Sequence, residues 1–455
     1  MAAPRLLVPT LLFIALVVAV VGSLGAPLIT SVATDFGVSL SSAQWTLTIT
    51  LLVGAIAAPV LGRLGVGPRR RAAVIITLAI VVAGSALTVA PLGFAWLLAG
   101  RAAQGAGLGL TALMMGAARD HLGREQATAT IALISVASTI GVGVGYPLAG
   151  LLTEVAGLRA AYALGVLVTV VALAAAVLAL PASPPGRSAA ADVPGAILLA
   201  AGLLALLIAV SEPGLWHRHA VLAVALLAVA AALLTGWAAY ERRTTAPLVD
   251  VTLLRHPAVV GANASMLVGG MGMYLLLTII TRYVQTPSAA GYGFGASTFV
   301  AGLALVPFSV MGFAAGKLTP RLNGRIGPNA ILAVSAVVVL FAFILFAVAR
   351  ASLADALVAM GILGFGVGSF SAAMPAVILA VTPPSETSSA MGVNQVVRSV
   401  GFAIGSAVGG FILAVGTGAG QAFPANAAYT TAAMAGVVIM ALTAVAATAT
   451  RRRAG

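Results

Sequence analysis

The chain has 455 residues, 61% hydrophobic and 7% charged, with net charge +13 and mean hydropathy +1.14. A soluble domain carries roughly a quarter charged residues, so that class is excluded, and repeated apolar runs of about 20 residues mark an α-helical integral membrane protein. No cysteine is present, which removes disulfides, thiolate metal sites and thiol nucleophiles, and the basic excess reads as membrane orientation, not nucleic-acid binding.

Fourteen spans are predicted: 6–27, 42–62, 72–92, 94–116, 128–152, 159–181, 194–211, 220–240, 258–284, 296–316, 329–349, 353–380, 388–414 and 428–448. The first is too long for a signal-peptide core, lacks a strongly basic start and is followed by many more spans, so it reads as a retained helix. Arg159, Arg218, Arg282 and Arg350 fall on one side of this map. The other side holds seventeen basic residues, including Arg63, the Arg69-Arg70-Arg71 run, Arg119, Lys317 and Arg451 to Arg453. Seventeen against four predicts that both termini are cytoplasmic in a multi-pass protein of the plasma membrane.

In span 1, Val18, Ser23 and Pro27 mark a polar-poor helix that ends in a proline. Gln44-Trp45 opens span 2, Thr50 lies within it, and Gly62-Arg63-Leu64 leads into the arginine run. Span 4 carries Arg101, followed by Gln104, Gly105, Gly107 and Gly109. A guanidinium stays protonated and is costly near a bilayer centre, so Arg101 is expected to face a bundle interior or wet cavity. The glycines remove bulk from one helix face and allow close approach or sliding. Span 5 closes on Gly141, Gly143, Gly145, Tyr146, Pro147 and Gly150.

Pro-rich, charged breaks at 181–195 and 241–257 set off two Leu/Ala-rich spans with almost no mid-span polarity. These read as inserted packing helices, with a direct role in transport as the alternative. Beyond them, Gly105, Gly107 and Gly109 recur as Gly364, Gly366 and Gly368, an offset of 259. Gly141, Gly145 and Gly150 recur as Gly401, Gly405 and Gly410, an offset of 260. The expected organisation is a six-helix bundle (1–181), a linker with two inserted helices (182–257), and a second, pseudo-symmetric six-helix bundle with a basic tail (258–455). Repeats of this kind suit alternating access around a midplane site.

All ten acids, Glu154 and Asp35 among them, fall at span ends or in connections, while Arg101 and Arg398 lie inside spans. Proton coupling normally uses a carboxylate or histidine whose affinity shifts with exposure. Any coupling proton must therefore use an acid near a membrane face, with Glu154, close to Arg159, and Asp35 as the two choices. Substrates should be neutral or anionic lipophiles. Cavity residues are expected among Ser23, Thr50, Gln104, Tyr146, Asn263, Tyr274, Asn394 and Gln395, with Met271, Met273 and Phe370 as apolar wall. Such pockets are mostly apolar with a few polar anchors, and methionine adapts to ligand shape. For any single apolar residue, core packing is the competing reading.

Arg101-x-x-Gln104-Gly105-x-Gly107 resembles the fourth-helix motif of the major facilitator superfamily, and the chain as a whole is similar to its fourteen-helix drug:proton antiporter branch. The resemblance implies proton coupling for Arg101; a structural arginine satisfied by carbonyls and waters is the competing reading. Gly141-x3-Gly145-Tyr146-Pro147-x2-Gly150 resembles the fifth-helix antiporter motif, with the proline one place late and Ala149 where a glycine is usual. Small-residue packing is its alternative. Gly62 with Arg69, Arg70 and Arg71 sits at the family's gating loop, but Val66 stands at the usual aspartate position. Val18 and Ser23 likewise replace the family's aspartate and asparagine in span 1, whereas Glu386, Asn394 and Arg398 fit the branch.

The resemblance implies an efflux transporter of small lipophilic molecules that exchanges protons, acts as a monomer in the bilayer and uses no cofactor. An exporter of an endogenous metabolite or antibiotic without strict coupling is the second reading. No convergent nucleophile, base or metal set suggests an enzyme, no P-loop supplies ATP, and no connection is long enough for a sensor domain. One lysine against many arginines points to a GC-rich bacterial source.

Overall fold

The structure, a computed structural model, describes residues 6–454 except 39, 66, 184–191, 212–214, 217–218, 245–246, 248–255, 384–386, 419–420 and 422. Val66 and Glu386 therefore lie outside the described residues, as do the side chains of Gln44 and Pro27. Among the described residues every regular element is an α-helix or a short 3-10 turn. The first eight helices are α1 (Leu7–Ser23), α2 (Gly25–Phe36), α3 (Leu40–Leu64), α4 (Arg70–Val89), α5 (Phe94–Ala106), α6 (Leu110–His121), α7 (Arg124–Ala156) and α8 (Leu158–Ala179). Helices α9 (Val193–Ser211) and α10 (Ala220–Glu241) follow. The last seven are α11 (Pro257–Gln285), α12 (Thr298–Leu303), α13 (Leu305–Ile326), α14 (Pro328–Val348), α15 (Leu353–Leu379), α16 (Thr387–Val415) and α17 (Asn426–Ala454).

Eleven helices among the described residues are long and apolar enough to cross a membrane. The other three predicted spans are also helical, but two are interrupted. Span 1 breaks at Leu24 between α1 and α2, where Pro27 lacks the N–H that the residue 23 carbonyl would need. Span 4 tightens into a 3-10 turn at Gly107–Gly109, where glycine disfavours the α-helix. Span 5 is the single long helix α7. Tight corners elsewhere use glycine in the left-handed region. Gly157 (φ 81°) alone joins α7 to α8, and Gly327 (φ 81°) alone joins α13 to α14, positions where a Cβ would be strained.

The repeated glycines make equivalent contacts. A Cβ on Gly105 would strike the Thr50 carbonyl of α3, and one on Gly364 would strike the Phe308 carbonyl of α13. Gly107 faces Val81 of α4 and Gly366 faces Val339 of α14. Gly141 and Gly145 meet Ala19 and Ser23 of α1, as Gly401 and Gly405 meet Leu267 and Met271 of α11. Glycine here sets how closely helices cross, and the same crossing occurs twice in the chain.

Helices α1 to α8 pack among themselves, as do α11 to α17, and the two groups meet along two seams. In one, α3 and α6 pack on α16; in the other, α7 packs on α12, α13 and α15. Helices α9 and α10 pack on each other, and α9 also lies against α3 and α16.

Gly405→Val should force α11 and α16 apart, an overpacking cost of about 1–3 kcal/mol, and lower the thermal midpoint in detergent. Gly410→Ala, on the same helix with no atom within 4 Å of its Cβ position, should leave the midpoint unchanged.

Candidate functional site

Helix α5 places Arg101 in the interior with 0% exposure. Its Nε donates to the Thr46 carbonyl of α3 (3.0 Å), Nη1 to the Val21 carbonyl (2.9 Å) and to Gln104 Oε1 (2.6 Å), and Nη2 to the Gly22 carbonyl (3.4 Å). Val21 and Gly22 lie in the last turn of α1, just before the break at Leu24. Leu24 keeps helical dihedrals (φ −55°, ψ −27°) and its N–H donates to the Val20 carbonyl, so the interruption is slight. The guanidinium hydrogen-bonds two carbonyls next to it. All four acceptors are neutral oxygens, so the charge is solvated by dipoles, not paired with a carboxylate. Thr50 closes the arrangement by donating to the Arg101 carbonyl (3.1 Å), and Gln104 Nε2 donates to Ser85 Oγ of α4 (3.0 Å). One side chain and its satellites thus tie together α1, α3, α4 and α5.

Helix α7 runs beside this centre and presents two small faces. Gly141 and Gly145 admit α1, where Ser23 Oγ donates to the Val20 carbonyl (2.8 Å). Gly143 points the other way, to Ser309 and Leu305 of α13. Pro147 and Tyr146 meet Gly302 of α12, and Gly150 is buried. The motif glycines therefore serve two different interfaces of one helix.

A second polar strip lies between α11 and α16. Asn394 Nδ2 donates to Asn263 Oδ1 (3.0 Å). Arg398, 6% exposed, lies 5.7 Å from the Phe402 ring centroid, and Phe402 stacks on Tyr274 at 4.9 Å. Met271 contributes backbone to the Gly405 crossing. Gln395 is half-buried beside this strip, whereas Met273 and Phe370 (4% and 0% exposed) sit in the main apolar cluster. The structure thus joins Asn263, Tyr274, Asn394 and Arg398, and leaves Phe370 packed against the Gly269 position instead.

At the arginine-rich end, Gly62 is buried, Arg69 is exposed, and Arg70 is 4% exposed. Arg70 Nε donates to the Gly65 carbonyl (3.0 Å) and its guanidinium pairs with Asp120 at the end of α6. Arg71 caps α8, donating to the carbonyls of Val177 (2.8 Å) and Leu180 (3.1 Å). Asp120 is a partner for the loop that sequence reasoning did not identify. Arg119 beside it was also missed: it donates to Thr387 Oγ1 (2.7 Å) and the Thr382 carbonyl (3.3 Å), joining α6 to the start of α16. Partial burial pulls its guanidinium below the ordinary value.

Of the two acids singled out near a membrane face, Asp35 is exposed. Glu154, expected near Arg159, instead accepts the Phe299 N–H at the start of α12 (3.2 Å), across the second seam. At that same end Tyr283, Tyr292, Phe346 and Tyr429 form an aromatic cluster, and the Arg350 guanidinium lies over the Tyr283 and Phe346 rings and donates to Thr430 Oγ1 (2.7 Å). Burial beside Tyr429 pushes the Tyr292 phenol up to about 12. Four aromatics spread over loops and span ends gave no signal of convergence in the sequence.

The profile described as Major Facilitator Superfamily matches residues 11–347. The chain is 28% identical over 342 residues to the multidrug resistance protein Stp of Mycobacterium tuberculosis, covering 74% of this chain and 62% of that protein. It thus spans less than two thirds of that relative's length. It is 28% identical over 399 residues to a probable actinorhodin transporter of Streptomyces coelicolor, covering 83% of this chain and 67% of that one. In three dimensions it resembles the crystal structure of the human organic anion transporter MFSD10 (TETRAN). The TM-score is 0.67 at 15% identity, over 97% of this chain and 99% of the other, a likeness of fold.

Arg101→Lys keeps the charge and loses the fork, since one ammonium cannot span acceptors on three helices. Bare buried carbonyls cost about 1–3 kcal/mol each, so the variant's thermal midpoint should fall clearly below that of the parent. An unchanged midpoint would contradict the clamp.

Proposed function

Because the chain belongs to the Major Facilitator Superfamily, we propose that it exports small lipophilic molecules across the cytoplasmic membrane by alternating access. All fourteen helical segments cross the bilayer, both termini are cytoplasmic, and one chain is the working unit. Residues 1–181 and 258–455 rock against each other, with 182–257 supplying the linker and inserted pair. The end bearing Arg70, Asp120 and Arg119 faces the cytoplasm, as the positive-inside count requires.

One observation carries the reading: Arg101 is wholly buried on neutral acceptors beside the break between α1 and α2. A fixed interior cation tied to a helix break responds to movement of α1, and it has no acid to neutralise it. Arg398 adds a second buried cation on the other group. Two positive charges, with every carboxylate at a span end or in a connection, favour neutral or anionic lipophiles over multivalent cations. Exchange against protons then assigns the proton to an acid near a face. Glu154 is the better placed, because its bond to Phe299 links the two groups.

A second reading, export of an endogenous metabolite or antibiotic without strict proton coupling, draws support from the neutral acceptor set around Arg101. The relative described as a probable actinorhodin transporter favours it too.

Proteoliposomes with an imposed pH gradient test both readings, using anionic, neutral and cationic dyes. The parent should move neutral and anionic dyes, and Arg101→Ala should abolish gradient-driven uptake while retaining expression. Glu154→Gln should slow uptake several-fold, and Asp35→Asn should not. Full activity of Arg101→Ala, or transport of a dication in preference to the neutral dye, would contradict the proposal. Uptake that ignores the gradient would favour the second reading.

A further inference from the structure

The two seams between the helix groups are finished differently. Along the first, the Gly392 position lies 2.9 Å from the Ala58 carbonyl, and helix α9 covers the join. Leu199 and Leu203 of α9 form one apolar cluster with Ala55 and Ala58 of α3 and Val393, Val396 and Val400 of α16. Along the second, a Cβ on Gly143 would lie 2.6 Å from the Leu305 carbonyl, and Ser309 Oγ donates to the Ile140 carbonyl at 3.4 Å. Among the described residues no helix covers this join. It opens instead into a groove of about 760 Å³ bounded by α1, α7 and α13.

The groove's chemistry restricts its occupant. Ser309 is the one polar side chain in its lining, and that hydroxyl already serves the Ile140 carbonyl. The volume falls within the roughly 300–1,000 Å³ range of ligand sites. Val144, Leu148, Val310 and Phe313 are 40%, 38%, 59% and 41% exposed along its sides. A polar ligand would lose its hydrogen bonds to water and regain none here. Every lining residue falls within predicted spans 1, 5 or 10, at the depth of the hydrocarbon core, and no charged group lies in the lining to hold a headgroup.

We propose that this groove binds the acyl chain of one membrane phospholipid, which fills the α7–α13 seam as α9 fills the α3–α16 seam. The chain supplies dispersion contacts that an empty apolar recess forfeits. Because its walls belong to both helix groups, the bound lipid stabilises the arrangement in which α7 and α13 are closed at Gly143, by ordinary linkage. The inference rests on the proposed span positions, but its test reads binding alone, so it can fail while the transport reading stands, and the reverse.

The probe is a phosphatidylcholine brominated at mid-chain, added to the purified full-length protein in detergent and counted by native mass spectrometry. The parent should retain one lipid per chain, and so should Val170→Trp, a lipid-facing control on α8 outside the groove (45% exposed). Val310→Trp, which fills the groove, and Val310→Ser, which makes its wall polar without added bulk, should each lower retention at least five-fold. A short-chain phosphatidylcholine with the same headgroup should fail to displace the probe. Equal retention by both Val310 variants, no retained lipid on the parent, displacement by the short-chain lipid, or displacement by a transported neutral dye would overturn the proposal.

Discussion

A single unneutralised charge in an apolar interior constrains much of this chain. Arg101 cannot shed its proton and has no carboxylate among its hydrogen-bond partners, so the protein surrounds it with oxygen dipoles from three helices. Two of those dipoles are the Val21 and Gly22 carbonyls at the end of α1, next to the interruption at Leu24. Removing the guanidinium leaves buried polarity unmet.

The rest of the architecture follows from how closely helices can approach that centre. Gly105 lets α5 lie on the Thr50 backbone of α3, next to the Thr46 carbonyl that Arg101 uses. Gly141 and Gly145 let α7 press against α1, and Gly143 lets the same helix press against α13. Helix α7 therefore connects the Arg101 centre to the other half of the chain through glycine and apolar contacts along its middle, with the Glu154 carboxylate bonded to the Phe299 N–H at its end. At the arginine-rich end the connection is polar: Arg119 reaches Thr382 and Thr387 across the first seam.

Much of this was legible in the sequence. Hydropathy located the eleven helices that are long and apolar enough to cross a membrane among the described residues, and the cost of a lipid-facing guanidinium placed Arg101 in the interior. The glycine offsets of 259 and 260 correspond to crossings made twice, Gly105 on Thr50 and Gly364 on Phe308. What the sequence hid were partners set by tertiary structure. Val66 at the usual acid position suggested a weakened gating loop, yet Arg70 finds Asp120, fifty residues away at the end of another helix. The interruption at Leu24 gave no hydropathy signal because Val20, Val21, Leu24 and Leu28 keep the run apolar across it. Glu154 was read with its sequence neighbour Arg159, while the folded chain gives it a backbone N–H from α12. Local pattern reports burial well and reports partners poorly.

The most direct test of the central claim is nitrogen-15 NMR of arginine-labelled protein in detergent, following exchange of guanidinium protons with water. A side chain held on the carbonyls of Val21, Gly22 and Thr46 should give a slowly exchanging Nε–H signal that disappears in Arg101→Lys, while exposed Arg69 exchanges fast. If the signal assigned to Arg101 exchanges as quickly as that of Arg69, the guanidinium is in water and the clamp does not exist.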